Sequence, residues 1–436
     1  MKKLLILSII GFIGFSSCEV EEILNPNSPT LESFENGATL ADLQLLAHGL
    51  QAVIREDMQF HFWTTSMVGR EYYDLRGTDP RYTTELLGRN GGALDNNGFL
   101  TTRSYFGRYR SVRNANLLQT AVTNTVATLT DSQRNAFLGF ANTIAAYELL
   151  LEATRQFENG IRIDVADVNN LGPFTNGFQD ALSQIRDLLD EGFGQLSGSA
   201  EDVLFSLEGM GNIPGTDTEK LAQFNRALAA RVALYQDDNA GALSALNASF
   251  LDTGADMSVG AYYAFGGATG NDLANPLFYV PGVDNYMAHP TFVADATDGD
   301  SRVAAKVNDT GMEIAIDDLA SPFLVTIYPS NSSDASIIRN EELILIYAEA
   351  MIGSDNDAAV SAINIVRNAA GIGDYTGATD NGALVDELLY QRRYSLFGEG
   401  HRWIDLRRYN RLAELPLDRG GDIVHVQFPR PASEGN

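Results

Sequence analysis

Aromatic and hydrogen-bonding side chains are concentrated in one stretch near the start of the chain. Residues 60–82 combine a tryptophan and several tyrosines with arginine and aspartate. Sugar rings present flat C–H faces that stack on aromatic rings, and their hydroxyl groups form hydrogen bonds with arginine and aspartate side chains. The stretch therefore predicts a carbohydrate-binding site. Its candidate ligand-binding residues are Trp63, Arg70, Tyr72, Tyr73 and Asp74.

The members of this candidate site have different expected roles. Trp63 has the most weight as a stacking platform, and Arg70 and Asp74 are expected to bond sugar hydroxyls. Tyr72 and Tyr73 are adjacent, so in an extended segment they point to opposite sides and at most one faces the ligand. A second aromatic segment lies far along the chain, and we expect Tyr279 or Tyr286 to complete the platform from there.

Motifs that would indicate catalysis are missing from the sequence. It contains no HExxH motif, no phosphate-binding Walker A motif and no Gly-x-Ser-x-Gly motif. We therefore expect no catalytic residues, no metal site and no cofactor. Glycoside hydrolysis needs only two carboxylates at a set separation, and 57 acidic residues leave such a pair open. A glycan-cleaving enzyme is thus kept as an alternative.

Helical periodicity dominates the remainder of the chain. In several places small alanines face large apolar residues across a tight turn, which is typical of tetratricopeptide-like (TPR-like) helical hairpins. Two long segments, 60–99 and 253–329, lack this pattern and are rich in Gly, Asn, Asp and Tyr, so we expect functional loops there. The predicted helices cover residues 40–56, 99–121, 131–157, 177–196, 218–236, 240–250, 341–352, 357–370 and 383–409.

An arginine-rich helical segment near the C-terminus places a charge on its apolar face. Arg392 lies at helical spacing with Leu388, Leu389 and Leu396, so it is expected to be buried. A buried guanidinium needs carboxylates or carbonyls for its donors. We expect an internal ion-pair network rather than a binding site. The residues of this predicted network are Glu342, Glu349, Arg392, Arg393, Arg402 and Asp405.

Two segments resemble the SusD/RagB family of outer-membrane nutrient-binding lipoproteins. The first reads EELILIYAEA over residues 341–350, and the second reads RRYSLFGEGHRWIDLRR over residues 392–408. The resemblance implies a mainly α fold in which about four TPR-like helical pairs form a scaffold covered by long irregular loops. It also implies capture of oligosaccharide or polysaccharide and delivery to a SusC-like TonB-dependent outer-membrane transporter. The RagB branch offers peptide binding as an alternative.

The N-terminus predicts export and lipid anchoring. Lys2 and Lys3 precede a short apolar run that ends in small residues before Cys18, as in a bacterial lipoprotein signal. We expect a signal peptide over 1–17, a lipidated Cys18 with a tether over 18–37, and a single domain over 38–436. The alternative is an ordinary secretory signal with a chance cysteine. The expected location is the outer membrane, facing the exterior. A net charge of −27 argues against nucleic acid as a partner.

Overall fold

Long helices make up most of the fold, which we describe from a computed structural model over residues 31–199, 201–266 and 273–435. The helices are α1 (Leu31–Glu35), α2 (Leu40–Val53), α3 (Met58–Val68), α4 (Phe99–Thr123), α5 (Asp131–Gln156), α6 (Gly177–Ser197), α7 (Asp217–Tyr235), α8 (Asn239–Asn247), α9 (Pro290–Ala294), α10 (Ser301–Lys306), α11 (Asn340–Met351), α12 (Asn356–Ala369), α13 (Asn381–Ser395) and α14 (Arg402–Arg408). The strands are β1 (Tyr72–Asp74), β2 (Gly260–Tyr263), β3 (Tyr286–Ala288), β4 (Val307–Ile316), β5 (Leu319–Val325) and β6 (Ala335–Arg339).

The long helices pack on one another largely in chain order. Helix α4 lies against α5, α6 against α7, α8 against α11, and α12 against α13, and successive pairs also touch through α5 and α6, α7 and α8, and α11 and α12. Each helix thereby buries its apolar face against two neighbours, which is how stacked helical pairs form a continuous core. The prediction of a mainly α fold built from helical pairs is confirmed.

The start of α5 shows how local sequence sets a helix boundary. The hydroxyl of Thr130 accepts a hydrogen bond from the backbone N–H of Gln133 at 3.1 Å, and the Gln133 side chain accepts one from the Thr130 N–H at 3.1 Å. This reciprocal capping box satisfies donors that have no partner within the helix. A capping side chain of this kind contributes about 1 kcal/mol.

The segment 60–99 was expected to be a loop, but its first part belongs to α3. Helix α3 buries almost every side, including Phe62 and Met67. The hydroxyls of Thr64 and Thr65 donate to the carbonyls of Phe60 and His61, so their polar groups are satisfied inside the helix. Burial by the surrounding chain outweighs the weak helical preference of threonine and aromatic residues.

The helix predicted over residues 383–409 is interrupted by a turn at 396–401. Gly398 and Gly400 both have a φ of 77°, a left-handed conformation that glycine adopts without strain. A Cβ on Gly400 would lie 2.6 Å from the hydroxyl of Thr65. The break lets α14 fold back against α3 as well as α13.

The segment 253–329 is also more regular than expected, because it contributes strands to two small sheets. The order in the larger sheet is β1-β3-β5-β4, and β2 pairs with β6 in the smaller one. Strand β1 comes from the first predicted loop and β3 from the second, so hydrogen bonds between them join the two segments. The signal peptide 1–17, Cys18 and residues 18–30 of the tether lie outside the described residues.

A candidate ligand-binding site

The antiparallel pairing of β1 with β3 brings the two aromatic segments together. In this register Tyr72 lies opposite Ala288, and Asp74 lies opposite Tyr286. Side chains alternate between the two faces of a strand, so Tyr72 shares a face with Tyr286 while Tyr73 points the other way. The ring centroids of Tyr72 and Tyr286 are 6.2 Å apart, whereas Tyr73 lies 5.4 Å from the ring of His289.

Six rings around this sheet edge form what we call the aromatic cluster. Tyr279 and Tyr286 stack at 3.9 Å with 19° between their planes, and Trp63 stacks on Tyr286 at 5.5 Å. The indole N–H of Trp63 donates to the hydroxyl of Tyr279 at 3.0 Å. The members of the cluster are Phe60, Trp63, Tyr82, Phe99, Tyr279 and Tyr286.

The outer edge of the aromatic cluster reaches solvent. Phe60, Trp63 and Phe99 are each partly exposed, while the three tyrosines are buried. The ring of Phe60 lies edge-on to Trp63 at 5.3 Å and to Phe99 at 6.0 Å. The buried tyrosines therefore support a continuous strip of three accessible aromatic rings.

Three arginines lie over the rings of this cluster. The guanidinium of Arg76 is 4.4 Å from the centroid of Tyr286 and 5.9 Å from that of Trp63. Arg81 lies 4.4 Å from the ring of Phe99, and Arg103 lies 5.5 Å from the ring of Phe60. Such contacts are attractive because the face of an aromatic ring is electronegative. The strip is thus bordered by cationic hydrogen-bond donors.

All three arginines are also held by carboxylates, and Arg103 reaches Asp57 at 3.3 Å. Arg76 donates from Nε and Nη2 to the buried carboxylate of Asp74, at 2.9 and 2.7 Å. Arg81 makes the same two-point contact with Asp79, at 3.0 and 2.7 Å, and this hydrogen bonding lowers the pKa of the Asp79 carboxyl. Burial raises the pKa of Tyr82 to about 12, so that ring stays neutral at physiological pH.

Two residues of the predicted site are placed where a ligand cannot reach them. Arg70 is buried, and it donates at 3.0 Å to the carbonyls of Leu87 and Ile423. Tyr73 is buried on the far face of the sheet. The structure does not bring Arg70 to the aromatic cluster's accessible edge, because its two terminal nitrogens donate to backbone carbonyls.

The other predicted residues converge on the aromatic cluster but support it from behind. Tyr72, Tyr279 and Tyr286 are buried, and Asp74 is occupied by Arg76. Only Trp63 keeps an accessible surface. The residues of the site that sequence reasoning missed are Phe60, Arg76, Arg81, Tyr82, Phe99 and Arg103. Five of them lie within or at the ends of the segment 60–99, and Arg103 follows Phe99 by one helical turn on α4.

The predicted ion-pair network divides into two buried clusters and two half-buried residues, Arg393 and Arg402. In the first cluster Arg392 donates to Asp405 at 2.7 Å, while Arg408 reaches Asp405 at 3.1 Å and Glu349 at 2.9 Å. Burial alone would raise the pKa of the Asp405 carboxyl, but the two guanidiniums hold it below its ordinary value.

Glu342, Arg393 and Arg402 lie outside that first cluster, contrary to expectation. Glu342 is paired with Arg231 of α7 at 2.6 Å. Arg393 reaches the exposed carboxylate of Asp295 at 2.9 Å. The guanidinium of Arg402 has no hydrogen-bond or ion-pair partner in the described part of the chain. The sequence could not show this division, because it depends on where α7 lies against α11.

Residues 31–199, 201–266 and 273–435 contain neither a metal-binding group of side chains nor a membrane-spanning helix. No group of histidine, cysteine, aspartate or glutamate side chains in these ranges could hold a metal ion. None of the helices in these ranges is both long and apolar enough to cross a bilayer.

Comparison with known proteins supports the class that the fold and motifs indicate. Residues 326–431 match the SusD family. This stretch contains both C-terminal motifs, so the resemblance predicted from them is confirmed for that part of the chain. No curated protein sequence matches the chain.

Solved structures with the same fold cover nearly the whole chain. A SusD superfamily protein from Bacteroides vulgatus has 15% identity and a TM-score of 0.69, covering 91% of this chain and 96% of that one. Surface glycan-binding protein A from Bacteroides thetaiotaomicron, in complex with laminarihexaose, has 14% identity and a TM-score of 0.67, covering 91% and 97%. A laminarin-binding SusD-like protein has 17% identity and a TM-score of 0.60, covering 89% and 96%.

Proposed function

We propose that the protein binds oligosaccharides on the partly exposed strip formed by Phe60, Trp63 and Phe99. The observation that carries this proposal is the continuity of three accessible rings over a buried layer of tyrosines. Sugar C–H faces stack on such rings, and an extended strip suits a chain of sugar units better than a single one. Each aromatic contact of this kind contributes roughly 1 kcal/mol.

The bordering arginines supply the polar half of the recognition. Arg76 is fixed by Asp74, so its remaining donors are oriented before a ligand arrives. The side chains of Arg81 and Arg103 are 43% and 58% exposed. An exposed cation–π contact is worth about 0.5–1 kcal/mol, and a surface ion pair adds about 0–1 kcal/mol. Moving Arg81 away from Phe99 and Asp79, or Arg103 away from Phe60 and Asp57, to donate to a hydroxyl therefore costs little.

Two relatives favour carbohydrate as the ligand class. Both the glycan-binding protein in complex with laminarihexaose and the laminarin-binding protein share this fold over most of their length. The negative net charge of −27 favours neutral polysaccharides at the aromatic strip over anionic ones.

A panel of ligands tests the proposed class directly. Affinity electrophoresis through gels containing laminarin, starch, xylan or galactan is expected to show retardation on at least one polysaccharide. Calorimetry with mixed peptides tests the alternative ligand class, and an assay for newly formed reducing ends tests cleavage. Retardation without new reducing ends supports a binding protein. Peptide binding with no retardation on any glycan would overturn the proposal.

We further propose that the bound glycan passes to a SusC-like TonB-dependent transporter in the outer membrane. The SusD-like fold and the match over residues 326–431 support this partnership. Gentle detergent extraction followed by affinity capture of the tagged protein should recover a large outer-membrane β-barrel protein in near-equal amount. Recovery of the tagged chain alone would contradict the partnership.

The remaining part of the proposal is a lipid anchor at Cys18 that holds the protein at the outer membrane, facing the exterior. The basic, apolar and small-residue order of the leader supports it. Lipid chains add roughly 0.8 kcal/mol of membrane affinity per buried CH₂ group. Growth with an alkyne fatty acid should label the native chain and leave Cys18→Ala unlabelled. Labelling of both chains would place the anchor elsewhere.

A further inference from the structure

A surface cavity of about 470 Å³ lies between α13, α14 and the short turn Leu412–Glu414. We call it the arginine cavity, and it shares no residue with the aromatic cluster. Leu389, Leu406 and the ring of Tyr390 form an apolar wall. Three guanidiniums also line it, those of Arg393, Arg402 and Arg411.

Arg402 is unusual among the arginines of this region. Its Nε is shielded from solvent without a hydrogen-bond partner, and no residue in the described ranges pairs with its guanidinium. Burial and the nearby charge of Arg393 together lower the pKa of Arg402 to about 10, against a smaller opposing effect of Glu71. Arg402 is still a cation at neutral pH. Two neighbouring cations with only one carboxylate partner between them favour an added anion.

The walls of the arginine cavity are held in place before any ligand binds. Arg393 donates to Asp295 at 2.9 Å and to the hydroxyl of Thr291 at 2.8 Å. The hydroxyl of Tyr390 accepts the backbone N–H of Thr297 at 2.7 Å. Side chains fixed in this way lose little freedom when a ligand arrives.

The acids that line the cavity are already engaged. Asp405 is neutralised by Arg392 and Arg408 behind the cavity wall. Asp386 and Glu414 pair with Arg411 at the rim, where their side chains are 63% and 59% exposed. Among the described residues that line the cavity, Arg402 is therefore the guanidinium that has no carboxylate partner.

We propose that the arginine cavity binds the carboxylate of a small organic acid, with Arg402 and Arg393 donating to its oxygens and Tyr390 packing against its body. The planar fork of arginine matches the two oxygens of a carboxylate. The acids at the rim disfavour dianions such as sulfate or phosphate monoesters. A uronic sugar and the C-terminus of a peptide both present this group. The proposal does not depend on glycan binding at the aromatic cluster.

Isothermal titration at constant ionic strength tests the site with glucuronate, N-acetylglycine, glucose and sulfate as probes. Binding of either carboxylate, with glucose and sulfate inert, is the expected result, and the two carboxylates distinguish a sugar source from a peptide source. Loss of one charge-assisted hydrogen-bond partner should make Arg402→Gln about 10- to 100-fold weaker. Arg402→Lys, which keeps the charge but loses the fork, should be intermediate.

Arg113→Gln is the matched control, because Arg113 is an exposed arginine on α4 far from this cavity in sequence. It should bind as the wild type does. If Arg402→Gln does not fold, Arg393→Gln replaces it, since its partner Asp295 is solvent-exposed. No carboxylate binding, equal binding of glucose, or unchanged affinity in the folded arginine variants would overturn the proposal. Retardation by polysaccharide gels should persist in these variants, so the two sites are tested separately.

Discussion

Arg231 and Glu342 form a buried two-point ion pair that joins α7 to α11 across 111 residues of sequence. Arg231 donates from Nε and Nη2 to the two carboxylate oxygens at 2.7 and 2.6 Å. The same Nη2 also donates to the carbonyl of Ile337 at 2.8 Å. The pair therefore fixes the first family motif against the middle of the helical scaffold.

Breaking this pair should be costly. Arg231→Ala leaves the Glu342 carboxylate buried without its main partner, so we expect the free energy of unfolding to fall by about 3–5 kcal/mol. The double variant Arg231→Met with Glu342→Leu removes both charges. Its free energy of unfolding should fall much less than that of Arg231→Ala. Urea unfolding followed by circular dichroism measures each value. A loss below about 1 kcal/mol in Arg231→Ala would show that the pair does not stabilise the scaffold.

Arg392 gives a second test of the structural role of the arginine-rich motif. Arg392→Ala leaves the buried Asp405 with one ion-pair partner, Arg408. We expect the free energy of unfolding to fall by about 3–5 kcal/mol. The matched control is Arg411→Ala, whose partner Asp386 is largely exposed, with an expected loss below about 1 kcal/mol. Thermal melting and soluble yield report the difference. A folded Arg392→Ala protein of native stability that no longer binds ligand would assign Arg392 to a binding site instead.

The stability of the protein should depend on the ionisation of Glu71. Burial raises the pKa of this carboxyl from about 4.5 to about 7, even though the backbone N–H of Gly398 donates to it at 3.1 Å. Between these two values the folded protein keeps a proton that the unfolded chain releases. The free energy of unfolding should therefore fall as pH rises through this window, by up to about 1.4 kcal/mol per pH unit, and level off above pH 7.

Glu71→Gln removes this ionisation and should flatten the slope between pH 4.5 and 7. Denaturant unfolding of both proteins at half-unit steps of pH gives the comparison. Glu414→Gln is the matched control, because the Glu414 side chain is exposed and should leave the slope unchanged. Parallel curves for wild type and Glu71→Gln would mean that Glu71 is ionised in the folded state throughout.

Trp63 contributes to stability as well as to the proposed site. Its ring stacks on Tyr286 and its N–H is bonded to Tyr279. Trp63→Ala should lower the free energy of unfolding by roughly 2 kcal/mol, less than the 3–5 kcal/mol of a fully buried aromatic. Trp63→Phe keeps a ring, so its loss in the free energy of unfolding should be about half the loss in Trp63→Ala. Equal losses in the two variants would show that the hydrogen bond, not the ring, stabilises the cluster.

The sequence predicted those helices whose boundaries depend on local residue pattern. The helix expected over 131–157 is observed as Asp131–Gln156, because a capping box and a long apolar period both define it. Helix α3 was missed because its aromatic and threonine residues favour other conformations until the surrounding chain buries them. The partner of Glu342 was also missed, since no local signal marks Arg231 as its neighbour.

The candidate site was predicted only in part, because the sequence shows local composition but not tertiary contacts. Aromatic composition indicated the two segments, and the β1–β3 pairing does bring Trp63, Tyr279 and Tyr286 together. Composition could not show which of these side chains the rest of the fold buries. Arg70 therefore seemed available from the sequence, whereas the fold buries it against loop carbonyls.

The central claim is tested most directly by calorimetry with a neutral oligosaccharide from the polysaccharide that retards the protein most. The dissociation constant is measured for wild type, Trp63→Phe and Trp63→Ala. Each protein is first shown to be folded at the temperature of titration. Loss of one stacking ring, worth roughly 1–2 kcal/mol, should weaken binding by Trp63→Ala about 5- to 30-fold. Trp63→Phe, which keeps an aromatic face, should lose less than about 5-fold. Wild-type affinity in the folded Trp63→Ala protein would contradict a glycan site on the aromatic strip.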